Sequence, residues 1–218
     1  MGLGQLAKYA IATMFPGAML IRGRRGPAGL PAAITFDDGP HPENTPRILA
    51  ALASANALAT FFVQGQEAQR HPELVRDIHQ AGHQVANHAF LHRDARRTPT
   101  REYVDEVLRT QALLCDIVQC DLPREFRPPY GGITPATFLA LARSGYRFVF
   151  WSKDSRDSFI RNPALLASGV SDLHIGTGVI VLFHEDYAHT AAALPSILAM
   201  LGRRSLRLVT TSELSAAK

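Results

Sequence analysis

The stretch ITFDDGPH, residues 34–41, decides the fold because it ends an apolar run on two adjacent acids, Asp37 and Asp38. A short apolar run of this kind is typical of a buried strand in a parallel sheet. The glycine and proline that follow predict a turn at the end of this strand. Two acids at such a strand end either form the turn or belong to a functional site.

The rest of the chain alternates strand-like and helix-like segments from residue 32 onward. The run ATFFVQG at 59–65 is typical of a buried strand, and residues 100–119 have the apolar spacing of a long amphipathic helix. This order predicts one α/β domain over residues 31–218, with about seven parallel strands, enough to curl into a barrel. A length of 218 residues and a hydrophobic share of 46% fit a single globular domain.

Residues 1–30 form an apolar and basic segment with two interpretations. Residues 9–21 carry no charge, and three arginines follow them. The run is too short to cross a bilayer and a Pro-Gly pair interrupts it, so it is either a helix that packs on the domain or an anchor at a membrane surface. An anchor would give a cytoplasmic protein peripheral contact with the inner face of the membrane, and the sequence leaves export open.

Charge and cysteine content limit the functional classes. The net charge is +4, but the chain has no dense Lys/Arg stripe interleaved with aromatic residues, so no nucleic-acid partner is predicted. Cys115 and Cys120 are predicted to be small buried hydrophobic residues rather than a disulfide or a metal site. The sequence leaves the oligomeric state open.

Ionisable residues follow five different predicted strands at the same end. Each set alone has an ordinary explanation as a turn, a cap, a surface histidine pair or a solvated arginine. Their coincidence predicts one shared cleft, because the carboxyl ends of parallel strands converge. The sets are Asp37 and Asp38, His88 and His92, Arg127, Asp154 and Asp157, and His184.

The residue types in this set suit metal-assisted hydrolysis. One carboxylate and two imidazoles form a mixed ligand set for Zn²⁺ or for Co²⁺, Mn²⁺ or Ni²⁺. Three protein ligands leave a position for water, whose pKa the metal lowers. A second carboxylate can then act as general base and a further histidine as general acid.

Four short motifs in the order TFDDG, NHAFLH, RPPYG and LFH resemble the signature of the polysaccharide deacetylase family, carbohydrate esterase family 4, which contains the NodB homology domain. The resemblance covers about residues 32–213. It implies a distorted (β/α) barrel and a metal-dependent hydrolase that removes N-acetyl groups from sugars by attack of a metal-bound water.

The resemblance implies roles for the matching residues. Asp38, His88 and His92 would bind the metal. Asp37 would be the general base, and Arg127 would orient it and keep it ionised.

The resemblance also implies a general acid and an acyl pocket. His184 would be the general acid, and Asp157 would raise its pKa. The predicted substrate-binding residues are Tyr130, whose backbone N–H would stabilise the oxyanion, Pro129, Leu182 and Trp151. The family usually has an Asp-Trp pair where this chain has Asp157 and Ser158, so one pocket wall is altered and either Phe159 or Trp151 could replace it.

Three functions follow from these features. The first is an N-deacetylase that acts on an N-acetylated sugar or polysaccharide, in cell-envelope or exopolysaccharide synthesis. The second is a deformylase or deacylase that acts on a lipid-linked sugar with the same residues. The third is a carbohydrate-binding protein that has lost catalysis, against which the intact set of ionisable residues argues.

Overall fold

The computed structural model describes residues 17–23, 31–204 and 206–216, and these form one parallel sheet with helices packed on it. The strands are β1 (Met19–Leu20), β2 (Pro31–Asp37), β3 (Thr60–Val63), β4 (Gln84–Asn87), β5 (Glu125–Phe126), β6 (Arg147–Val149), β7 (Lys153–Asp154), β8 (Ile180–His184) and β9 (Arg207–Leu208). Their order is β1-β6-β5-β4-β3-β2-β8-β7, with β9 beside β2. The sheet curls into a half-barrel.

Eight α-helices connect and cover these strands in the described part of the chain. They are α1 (Asn44–Ser54), α2 (Gly65–Arg70), α3 (Pro72–Gln80), α4 (Thr100–Val118), α5 (Pro135–Arg143), α6 (Pro163–Asp172), α7 (Ala188–Arg203) and α8 (Thr211–Ala216), and a 3₁₀ turn spans Pro129–Gly131. Helix α6 begins at a side-chain cap. The Asn162 side chain accepts hydrogen bonds from the backbone N–H groups of Ala164 and Leu165, and a proline occupies the first turn.

Strand β2 is buried on both faces, and its alternating side chains serve two different environments. Ile34 and Phe36 pack in the core between the sheet and the helices. Thr35 and Asp37 face the opposite way, because successive side chains of a strand point to opposite faces. Burial on both sides is typical of parallel strands covered by helices. The same alternation therefore builds the core and brings Asp37 into the half-barrel.

The single α/β domain with a parallel sheet is confirmed, and the strand count differs from the prediction. The sheet has nine strands among the described residues rather than about seven. Four of them, β1, β5, β7 and β9, have only two residues. Two residues are too few to show an alternating hydrophobic pattern, so such strands depend on their neighbours in the sheet.

The N-terminal segment is described only in part. Met19–Leu20 pairs with Phe148 and Val149, so these two residues belong to the sheet and not to a packing helix. Residues 1–16 and 24–30 lie outside the described residues, and the membrane-surface anchor and the cytoplasmic location stay predictions. In the ranges that the structure describes, every helix is too short or too polar to cross a bilayer.

Two local expectations were wrong. The stretch LRLVTTSEL at 206–214 predicts a last strand that runs into a turn, but the chain after β9 forms helix α8. The buried Thr211 side chain of α8 donates a hydrogen bond to Glu125 Oε2 at 2.5 Å. Cys115 is half-buried and Cys120 is exposed, although both were predicted to be buried. Cys120 is exposed because α4 ends at Val118 and the left-handed residue Gln119 turns the chain outward.

Candidate active site

Asp37 and Arg127 form a buried ion pair at the carboxyl end of the sheet. Arg127 Nη1 donates to Asp37 Oδ1 at 2.6 Å and to Thr35 Oγ1 at 2.7 Å. Its other N–H groups donate to the carbonyl oxygens of Val149 and Phe150 at 3.1 and 3.2 Å. Because one oxygen of Asp37 is occupied by the guanidinium, only Oδ2 is directed towards the rest of the site.

Asp38, His88 and His92 come together beside this pair. Their ligand atoms all lie within 4.8 Å of one another. Asp38 Oδ1 is 3.5 Å from His88 Nε2 and 3.1 Å from His92 Nε2, and Asp37 Oδ2 is 3.8 Å from His88 Nε2. The structure thus brings together the three residues predicted to be metal ligands and places Asp37 next to them.

The donor set fits a divalent metal. His88 Nδ1 lies 2.7 Å from the Arg127 carbonyl oxygen, which can only accept, so Nδ1 carries a proton and Nε2 is the ring atom that faces Asp38. Such a hydrogen bond on the far nitrogen is the usual way a ligating imidazole is oriented. A carboxylate and two imidazole nitrogens are ligands that Zn²⁺ and its neighbours accept.

The pKa values of these groups reflect burial and mutual attraction. Burial would raise the pKa of Asp38, but the hydrogen bond and charge of His88 outweigh it and hold the pKa well below its usual range. Burial would lower the pKa of His88, but Asp37 and Asp38 raise it. For His92 burial prevails and the pKa falls. A cation bound here would compete with the proton on His88.

Unusual backbone conformations are concentrated in the loops of the site. Asp38, Ala89, His92 and Tyr130 have φ values of 74°, 62°, 50° and 57°, in the left-handed region that residues other than glycine rarely adopt. Each such residue costs on the order of 1–3 kcal/mol and persists only where its surroundings enforce it. Their concentration around three side chains indicates that the loops are shaped for those side chains.

His184 and Asp157 form the second half of the site. His184 lies opposite Asp37 in the register of β8 and β2, so both side chains point to the same face. Asp157 is fully buried and accepts hydrogen bonds from His184 Nδ1 and the His184 backbone N–H, both at 2.7 Å, and from Thr190 Oγ1 at 2.9 Å. Burial would lower the pKa of His184, but Asp157 outweighs it and raises the pKa to about 9.

The predicted substrate-binding residues lie around these groups. Leu182 is buried, and since it precedes His184 by two residues in β8 it shares the same face. Trp151 is half-buried, with its ring centre 5.6 Å from the Arg127 guanidinium carbon. Pro129 is buried, whereas Tyr130 is 66% exposed with its ring 4.6 Å from that of His92.

Other residues considered at the sequence level lie outside this centre. Asp154 is exposed and accepts a hydrogen bond from the Arg156 backbone N–H at 2.7 Å. Phe159 is 76% exposed, so Trp151 is the better placed of the two aromatic residues to replace the missing pocket wall. A cavity of about 760 Å³ opens beside His92 and Tyr130, but neither His184 nor Asp37 lines it.

Sequence reasoning missed several residues that hold the site in place. Gln64 donates to Asp38 Oδ1 at 2.7 Å, and Thr190 donates to Asp157. Thr35 could have been found, because it precedes Asp37 by two residues in the same strand and must share its face. The sequence holds no comparable signal for Gln64 and Thr190, since their contacts depend on how distant segments of the chain meet.

Glu185, the residue after His184, is buried in an unusual setting. Thr45 Oγ1 donates to Glu185 Oε1, whereas Oε2 has no hydrogen-bond partner within the described residues. Oε2 lies against Gly39, so closely that a Cβ atom added to this glycine would be only 1.8 Å away. Burial raises the pKa of Glu185 to about 8, and the negative charges of Asp186 and Asp38 add to this shift. The carboxyl is therefore neutral at pH 7.

The comparison with family models identifies the chain. The model described as polysaccharide deacetylase matches residues 26–149. The chain belongs to the polysaccharide deacetylase family. This membership confirms the family predicted from the four motifs.

Individual family members resemble the chain over most of its length. A peptidoglycan-N-acetylglucosamine deacetylase of Bacillus cereus is 38% identical over 189 residues, which is 84% of this chain and 86% of that protein. A chitooligosaccharide deacetylase of Bradyrhizobium is 39% identical over 154 residues, covering 71% of this chain and 70% of that one. The crystal structure of the Bc1960 peptidoglycan N-acetylglucosamine deacetylase, in complex with 4-naphthalen-1-yl-N-oxidanyl-benzamide, has a TM-score of 0.88 at 26% identity and covers 97% of this chain and 98% of its own.

Proposed function

We propose that this polysaccharide deacetylase family member is a metal-dependent hydrolase that removes an N-acetyl group from an N-acetylated sugar. The observation that carries the proposal is the grouping of Asp38, His88 and His92, whose ligand atoms lie within 4.8 Å of one another. A buried carboxylate, Asp37, and an imidazole with a raised pKa, His184, lie beside this group. The arrangement offers a metal site, a base and an acid in one cleft.

The proposed cofactor is Zn²⁺, with Co²⁺, Mn²⁺ or Ni²⁺ as alternatives for the same ligands. A divalent cation held by Asp38, His88 and His92 would lower the pKa of water in the site and polarise the amide carbonyl. The hydrogen bond from His88 to the Arg127 carbonyl oxygen keeps His88 Nε2 directed at this position.

Asp37 is proposed as the general base. Its Oδ1 atom is held by Arg127, so Oδ2, which faces the metal site, is the atom that takes the proton from the attacking water. The guanidinium lies against the Asp37 carboxylate as an ion pair at 2.6 Å. Arg127 is itself fixed by three further acceptors, so it also fixes the orientation of the base.

His184 is proposed as the general acid. Nδ1 is engaged with Asp157, so Nε2 is the nitrogen that can donate a proton to the leaving amine. A pKa of about 9 keeps the imidazole protonated at neutral pH. Leu182, Pro129 and Trp151 are proposed to surround the acetyl group, and the Tyr130 backbone N–H is proposed to stabilise the oxyanion.

The proposed substrate is a glycan that contains N-acetylglucosamine. The names of the two relatives described above support this choice, because one acts on peptidoglycan and the other on chitooligosaccharide. Neither relative supports a lipid-linked substrate. The complete set of ionisable residues argues against a protein that only binds carbohydrate.

Release of acetate from peptidoglycan and from chitooligosaccharides tests the proposal, with protein that is chelator-treated, reloaded with Zn²⁺ or untreated. We expect activity to be lost on chelation and restored by metal. Asp37→Asn should lower kcat by about 10²–10⁴-fold because the base is lost, while Zn²⁺ still binds. Asp154→Asn is the matched control, since Asp154 is an exposed acid outside the cluster.

Two results would contradict the proposal. Full activity after exhaustive chelation would exclude the metal, and wild-type turnover by Asp37→Asn would exclude Asp37 as the base. Acetate release confined to lipid-linked sugars would instead support the alternative substrate.

A further inference from the structure

Gln64 is the residue between β3 and α2, and its side chain reaches the proposed metal site. Its amide Nε2 donates to Asp38 Oδ1 at 2.7 Å. The same oxygen faces His88 Nε2 at 3.5 Å and His92 Nε2 at 3.1 Å. Gln64 therefore holds the oxygen that would ligate a cation, although it lies on neither of the loops that supply the ligands.

The backbone around Gln64 joins both ligand-bearing loops. The Gln64 N–H donates to the carbonyl oxygen of Gly39, the residue after Asp38, at 3.0 Å. The next two N–H groups, of Gly65 and Gln66, donate to Ala89 and Phe90, between His88 and His92, at 2.9 and 3.0 Å. Segment 64–66 thus fixes the distance between the loop of Asp38 and the loop of the histidines.

Close packing keeps this segment in place. A Cβ atom on Gly65 would lie 2.3 Å from the Phe90 ring and 2.7 Å from Thr110 Oγ1, so the backbone lies directly against the histidine loop. The amide of Gln64 consequently starts from a fixed backbone, and its hydrogen bond defines one rotamer of the Asp38 side chain.

We propose that Gln64 is a positioning residue that orients the Asp38 carboxylate for metal binding. The inference rests on the proposed function, since it requires a cation between Asp38, His88 and His92. Partners of this kind orient ligating carboxylates, and their loss typically weakens metal binding by about 10–100-fold.

A competing effect has the opposite sign. A hydrogen bond to Oδ1 withdraws electron density from the oxygen and would weaken its bond to a cation. The other side chains next to Asp38 Oδ1 among the described residues are His88 and His92, which a bound cation would engage, so the Gln64 amide is the partner left to orient the carboxylate. Orientation therefore outweighs the loss of basicity, and removal of the amide should weaken binding.

The test compares Gln64→Met with Gln66→Met in the full chain. Methionine keeps the length of glutamine and removes its hydrogen-bonding groups. Gln66 is the matched control because its amide donates to Glu67 Oε1 at 3.2 Å and not to Asp38. The readouts are the Kd for Zn²⁺ alone by competition with a chromophoric chelator, the visible absorption spectrum of Co²⁺-loaded protein, and the Tm of the apoprotein.

We expect Gln64→Met to raise the Zn²⁺ Kd by about 10–100-fold and to change the Co²⁺ spectrum, with Gln66→Met within about twofold of wild type. The apoprotein Tm should stay unchanged in both variants. A Zn²⁺ Kd for Gln64→Met within twofold of wild type, or tighter, overturns the inference and leaves the proposed function standing. A fall in the apoprotein Tm with an unchanged Kd also overturns it, because Gln64 would then be only structural. Failure of the wild-type protein to bind either metal would refute the proposed function itself.

Discussion

The pair of Asp157 and His184 allows a quantitative prediction about the pH dependence of activity. Burial lowers the pKa of His184, but Asp157, with smaller contributions from the charges of Asp37 and Asp38, raises it to about 9. Asp157→Asn keeps the shape and removes the charge. The pKa of His184 should then fall to its ordinary value of about 6.5 or lower. A fall of the His184 pKa from about 9 to about 6.5 corresponds to about 3 kcal/mol of lost interaction between the imidazolium and Asp157.

The shift can be converted into an expected loss of activity. At pH 8 a group with a pKa of about 9 is about 90% protonated, whereas one with a pKa of about 6.5 is about 3% protonated. Loss of the acid form should therefore lower kcat/KM about 30-fold at pH 8. At pH 6 the variant is still about 75% protonated, and protonation alone should cost less than twofold.

The assay is the pH–rate profile of acetate release by the metal-loaded protein. The basic limb of kcat/KM, near pH 9 in the wild type, should move to pH 6.5 or below in Asp157→Asn. Asp154→Asn, which neutralises an acid three residues before Asp157, should leave the limb in place because Asp154 is exposed. A basic limb that stays near pH 9 in Asp157→Asn would show that Asp157 does not set the pKa of the acid.

Two further predictions concern stability. Arg127→Met should lower the free energy of unfolding by about 3–5 kcal/mol in urea titrations, because it leaves Asp37 buried without its cation. A loss below about 1 kcal/mol would contradict this account of the ion pair. For Glu185, whose pKa is about 8 in the fold and 4.5 ordinarily, the wild type should lose about 5 kcal/mol of stability as the pH rises from 4.5 through 8. Glu185→Gln should remove this loss, so in urea titrations the variant should be more stable than wild type at pH 9 but not at pH 5. If the free energy of unfolding changes with pH equally in both proteins, the account of a buried neutral carboxyl is contradicted.

Much of the fold and the site could be predicted because local sequence determines them. The long strand β2 was predictable from its mostly apolar run before Asp37, since a strand buried on both faces is rich in apolar residues. The positions of Asp37, His88, Arg127 and His184 followed from the rule that parallel strands converge at their carboxyl ends. These inferences need only a strand assignment and a direction.

The remainder depends on contacts between distant parts of the chain. Strands of two residues, such as β1 beside β6, form because a neighbouring strand is present, and their own sequence carries no periodic signal. The neutral state of Glu185 depends on its packing against Gly39, which is far away in sequence. The hydrogen bond of Gln64 to Asp38 likewise depends on how two loops meet, and no motif marks it.

The charge balance of the cleft explains why the proposed chemistry needs all of these residues together. Acidic side chains outnumber basic ones around the cleft, where Asp37, Asp38, Asp157 and Asp186 lie with Arg127 and His184. Glu185 adds nothing at pH 7 because burial keeps it neutral. An excess of acidic side chains attracts a divalent cation, which would add two positive charges to the cleft. A cation in this partly buried site would stabilise the negative charge that develops on the amide oxygen as water attacks.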